Sequence, residues 1–149
     1  MAAKEQLLNK EILSLLGEVV ATNVSLEDYM EHYAADFCEW VEGVVIKMSG
    51  SLKHNDLIDY LRDLLRFYFG LRAIGRVISQ PFALRLPAFP RRRREPDLMI
   101  LLKTNASELK DTYLDGAADI CIEVVSEESV ERDYGVKFHE YERGGVPKY

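Results

Sequence analysis

Two strand-like runs of apolar residues in this 149-residue chain each carry a carboxylate, and no other feature limits its fold so sharply. Asp97 opens Leu98-Met99-Ile100-Leu101-Leu102, and Glu123 splits Ile120-Cys121-Ile122 from Val124-Val125. Both acids therefore belong to strands whose composition predicts burial on both faces. A third charge, Lys137, falls on the inward stripe predicted for a helix: Val130, Tyr134, Phe138 and Tyr141 recur at helical spacing, and Lys137 lies between the last three. A lysine there can snorkel, packing its stem under the tyrosines and reaching water with its ammonium. Beside two buried acids another solution is favoured. Burying one unpaired charge costs roughly several kcal/mol, so the three are expected to meet, compensated by one another or by a bound cation.

Composition permits this and excludes other classes. A chain with 48% hydrophobic residues can bury one substantial core. It has no apolar stretch long enough to span a bilayer and no signal-peptide pattern, which predicts a single soluble cytoplasmic domain over residues 1–149. Cys38 and Cys121 are too few for a disulfide framework or a zinc site, and their apolar neighbours predict reduced core thiols. A net charge of −6 argues against polyanion binding over the whole surface and leaves one obvious basic patch, Arg91-Arg92-Arg93-Arg94.

The spacing of Leu8, Ile12, Leu15, Leu16 and Val19 predicts an amphipathic helix ending near Thr22-Asn23. Ser25-Leu26-Glu27-Asp28 resembles a capping box for a short helix reaching about Ala35. A strand, bent or continued as a hairpin, is expected from Glu39 to Met48. Leu57, Ile58, Leu61, Leu64, Leu65 and Tyr68 then mark a long helix, with His54 one turn ahead on the same face. Strands follow at about 77–86, with Pro81 pointing to an edge or bulge, and at 97–102 and 119–125, and Ser126 is positioned to cap the last helix. This order predicts an α/β sandwich of α+β type: a mixed central sheet flanked by helices.

Three segments in order resemble the Uma-type restriction endonucleases of the PD-(D/E)XK nuclease superfamily. They are Glu95-Pro96-Asp97-Leu98-Met99-Ile100, Asp119 to Ser126, and Arg132 to Tyr149. Upstream, Ser25 to Tyr29, Glu39 to Val45 and His54 resemble that family's opening helix, first strand turn and long-helix start, so the likeness spans residues 24–149 and leaves 1–23 as an added helical extension. The resemblance implies a restriction-endonuclease-like core in which Asp97 and Glu123 bind metal. Lys137 would replace the lysine that the superfamily usually carries two residues after the Glu, where this chain has Val125. Glu42 and His54 are weaker members of the same site. Glu127 stands where the family commonly has Pro, and the family pattern continues past Tyr149 into a further strand, so a sheet edge is expected to be open or filled by a partner.

The chemistry implied is hydrolysis of DNA phosphodiester bonds. Hard carboxylate oxygens suit magnesium or manganese, which would neutralise charge developing on the phosphate. Lys137 is expected to orient or help deprotonate the attacking water, and Arg91 to Arg94 to hold the DNA backbone. The alternatives are a non-catalytic nucleic-acid- or protein-binding module on the same fold, a phosphohydrolase acting on nucleotides, and a purely structural ion-pair network. A homodimer could form through the N-terminal helix or the exposed sheet edge.

Overall fold

A computed structural model describes residues 17–48, 50–127 and 129–149. It is an α+β protein with three small sheets, and the two that matter for function are joined by the segment carrying Asp97. The first sheet has the order β1-β3-β2-β6, from β1 (Glu18–Ala21), β2 (Cys38–Val41), β3 (Val44–Lys47) and β6 (Arg92–Arg93), all antiparallel. The second has the order β10-β7-β4, from β4 (Gly75–Ser79), β7 (Leu98–Leu102) and β10 (Ile120–Ile122). The third, β5-β9-β8, contains β5 (Ala83–Arg85), β8 (Glu108–Leu109) and β9 (Tyr113–Asp115), and its β5/β9 pair is parallel, so the predicted mixed character rests there.

The helices are α1 (Leu26–His32), α2 (Leu52–Leu71) and α3 (Phe138–Arg143), the last entered through a π-helical stretch, Arg132–Lys137. Ser25 caps α1 by accepting the Asp28 N–H, as its capping-box pattern predicts, and Ser51 caps α2 by accepting the His54 N–H. The expected hairpin is β2/β3: Glu42 at φ 51 and Gly43 at φ 91 form a turn with two left-handed residues, which matches strand twist.

Several expectations need correction. Residues 18–21 are the edge strand β1 and not the end of a helix, because their alternating burial lets Val19 face the sheet while pairing with Ile46. The remainder of the predicted N-terminal helix lies outside the described residues. The single strand expected over 77–86 is two strands in different sheets, separated by the cis Gln80-Pro81 bond. Helix α2 has no fully buried residue: Leu57, Leu64 and Tyr68 of its predicted inner stripe are exposed, and it leans on β4 with one narrow side. Ser126 does not cap a helix; it forms a turn with Ser129.

The last helix shows why the 3.6-residue period misled. Val130, Tyr134 and Phe138 are exposed, while Lys137, Glu140 and Tyr141 are buried. A π-helical turn holds more residues than an α turn, so the inward face rotates between Val130 and Tyr141. The core proper lies elsewhere. Leu84, Met99, Leu114, Cys121 and Tyr141 pack between the second and third sheets, and Tyr29, Cys38, Trp40 and Val45 pack α1 on the first sheet. Both cysteines are free and buried, and burial pushes both thiols up, as expected of inert core residues. The Cys121 N–H donates to the Lys148 carbonyl at 3.0 Å, so the closing residues lie along the β10 edge.

Candidate active site

Asp97 and Glu123 meet because of strand register. Strands β7 and β10 are antiparallel with Leu98 opposite Ile122, so one step further the residue before β7 faces the residue after β10. The Val124 N–H donates to Asp97 Oδ2 at 2.6 Å, closing the pair. Both side chains line one cleft of about 720 Å³, together with His54, Lys47, Arg62 and Asp133. His54 Nε2 stands 3.4 Å from Asp97 Oδ2, brought there by the first turn of α2.

Behind the cleft wall lies a buried ionic network. Lys137, 1% exposed, places its ammonium 2.9 Å from Glu39 Oε1 and 3.0 Å from Glu123 Oε1, with Asp133 at 3.9 Å. Tyr141 donates its hydroxyl to the same Glu123 oxygen. Glu39 also accepts the Glu95 N–H at 3.1 Å and pairs with Arg94 at 2.8 Å, and Arg94 reaches Glu140 through two hydrogen bonds of 2.6 and 2.8 Å. Arg92 adds an ion pair to Glu140. Four elements are thus tied together: β2, β6 with the segment after it, β10 and the last helix.

The charges respond accordingly. Burial pushes Glu39 up, but Lys137 and Arg94 outweigh it and hold the carboxyl at about 2. Glu123 goes the other way, to about 7, because burial and the nearby Asp97 and Glu39 charges exceed the pull of Lys137. Burial also raises Asp97. Lys137 is pushed above its ordinary value: burial opposes its charge, but the surrounding carboxylates win. Glu95, buried against Glu39, rises to about 9 and carries a proton at neutral pH; its Oε2 has no hydrogen-bond partner among the described residues.

Asp97, Glu123 and Lys137 therefore come together as expected, but Lys137 does not line the cleft. An ammonium engaged by two carboxylates and held charged cannot deprotonate a water, so that part of its expected role is corrected. It positions Glu123. His54 is at the cleft and Glu42 is not: Glu42 is an exposed hairpin-turn residue 3.6 Å from Arg92. The glutamate that the site does use is Glu39. The signal for it was present, since Cys38-Glu39-Trp40-Val41 is another apolar strand carrying one acid.

The arginine run also needs correction. Arg93 and Arg94 are 5% and 2% exposed, and Arg92 is tied to Glu140, because β6 pairs with β2 and turns the run into the interior. Only Arg91 stays exposed. Arg92 and Arg94 are thus engaged by acids and Arg93 is buried, so the run does not form the expected four-arginine surface patch.

A divalent cation fits the donor set at the cleft. Asp97 Oδ2 and Glu123 Oε1 take the hydrogen bonds just described, leaving Asp97 Oδ1 and Glu123 Oε2 outside them. Among the described residues no three His, Cys, Asp or Glu side chains close into a metal cage. Magnesium does not need one, since it binds through one or two carboxylates and keeps several waters.

Residues 17–149 match the model of the Uma2 family, described as "Putative restriction endonuclease". The chain belongs to this family. The match begins at β1, so Glu18 to Ala21 lie inside it. Among solved structures, the fold is similar to that of a "putative nuclease belonging to DUF820" from Anabaena variabilis, with a TM-score of 0.65 and 13% identity over 83% of this chain and 70% of that one. No curated protein matches the chain. Among the described residues no helix is long and apolar enough to cross a membrane.

Proposed function

We propose that this Uma2-family chain is a metal-dependent endonuclease that hydrolyses phosphodiester bonds in DNA. The observation that carries the reading is that Asp97 and Glu123, adjoining the paired ends of β7 and β10, line one cleft, each with an oxygen that takes no hydrogen bond among the described residues. Family membership supports the same chemistry. Asp97 and Glu123 would hold magnesium or manganese, which supplies Lewis acidity toward phosphate and water.

The remaining work belongs to the chain. The Lys137 ammonium, fixed between Glu39 and Glu123, keeps the Glu123 side chain aimed and offsets part of its charge. Arg94 fixes Glu39 in turn. His54, beside Asp97 in the cleft, is the side chain best placed to pass a proton to or from the reacting oxygens. A plasmid cleavage assay tests the reading. The parent should nick or cut in 10 mM magnesium or manganese and be silent in EDTA, and Asp97→Asn should be inactive under all three conditions. Cutting that persists in EDTA, or in Asp97→Asn, would sink it.

A further inference from the structure

We infer that Lys47 and Arg62, and not the arginine run, hold the DNA backbone on either side of the reacting phosphate; this rests on the nuclease reading. A strand laid in an acidic cleft repels its walls except where cations face it. The cleft's lysine and arginines are Lys47 at the end of β3, Arg62 midway along α2 and Arg132, which pairs with Asp133 at 3.3 Å; Lys47 and Arg62 come from two separate elements. Neither is consumed by the fold. Lys47 is exposed, and its ammonium makes no hydrogen bond or ion pair among the described residues. Arg62 touches only carboxylates of its own helix, Asp59 at 3.0 Å and Asp63 at 3.5 Å, both well exposed. The Asp63 contact is made by the Arg62 Nε, which forms an ion pair without a well-directed hydrogen bond.

That contrasts with Arg94, each of whose three guanidinium nitrogens bonds to buried Glu39 or Glu140. An arginine on a cleft wall held only by exposed acids of its own helix is suited to a phosphate, which takes a planar fork and displaces such weak pairs. Contacts of this kind position a strand without reading bases, so binding should be electrostatic and largely independent of sequence.

The test is anisotropy binding of a labelled 20-base-pair duplex by the full chain across a potassium chloride series, with 5 mM calcium supplying the divalent charge. Lys47→Gln and Arg62→Gln should each weaken binding several-fold at fixed salt and flatten the log–log salt slope by about 0.9. The double variant should lose about twice that slope, and Arg62→Lys should retain the parental slope. Thermal melts of each variant confirm that the fold is kept. A parent that binds while Lys47→Gln and Arg62→Gln keep its salt slope overturns this inference and leaves the nuclease reading standing. A parent that does not bind the duplex at any salt concentration overturns both.

Discussion

Lys137 carries the clearest consequence at the scale of single residues. As a lysine on an apolar stripe it would tolerate Met at a cost under about 1.5 kcal/mol, the tolerance of a volume-conserving swap. The observed network reverses that expectation. Its ammonium pairs with both Glu39 and Glu123, and removing one partner of a buried pair leaves the others uncompensated. Lys137→Met should therefore destabilise the chain by about 3–5 kcal/mol, lowering the melting temperature on the order of 10 °C. Denaturant unfolding checks this, and a loss under 1 kcal/mol would show that Glu39 and Glu123 do not depend on Lys137. The two cleft acids were legible from the sequence because a carboxylate in an apolar strand has few solutions. Glu39 obeyed the same rule, but the nearby Glu42-Gly43 turn drew attention from it. Arg94 and Glu140 were not legible, since a run of arginines and a glutamate on a short helix look solvated until tertiary pairing places them inside.

At the level of elements, the β2/β3 hairpin and the Ser25 cap were readable from local chemistry, whereas the start of the last helix, expected at Ser126, and longer-range register were not. Ser25 capping α1 and the turn at Glu42-Gly43 follow from side-chain size and backbone freedom over four residues. The split of 77–86 into β4 and β5 depends on which sheet each strand meets, and the rotated face of the last helix depends on its π-helical turn. Neither leaves a periodic signal. The hairpin supplies a test that separates turn from site. Glu42→Asn keeps a residue that accepts positive φ more readily, so it should stabilise the chain by about 0.5 kcal/mol and leave plasmid cleavage unchanged. Loss of cleavage in that variant would return Glu42 to the site.

For the whole molecule, the buried acids set how stability follows pH. The folded state raises Glu123 from its ordinary 4.5 to about 7 and Glu95 to about 9, so the folded chain binds these protons more tightly than the unfolded one. Their stabilisation is complete below pH 4.5 and is lost as pH rises through 7 and then 9. Glu39, lowered to about 2, acts in the opposite sense: its contribution is present above 4.5 and is lost as pH falls toward 2. Without divalent cation the chain should thus be most stable in mildly acidic solution and lose on the order of 4 kcal/mol between pH 5 and 7. Magnesium should flatten that decline, because it favours ionised Glu123. Melting curves across pH with and without 10 mM magnesium measure both, and a metal-free stability that rises from pH 5 to 7 would contradict the assignment.

If Asp97 and Glu123 share one cation, anomalous scattering from crystals soaked in manganese should show a single peak about 2.2 Å from an oxygen of each carboxylate, lost in a Glu123→Gln crystal soaked identically. A manganese peak elsewhere in the cleft with none between these carboxylates, or one that persists unchanged in Glu123→Gln, would contradict it.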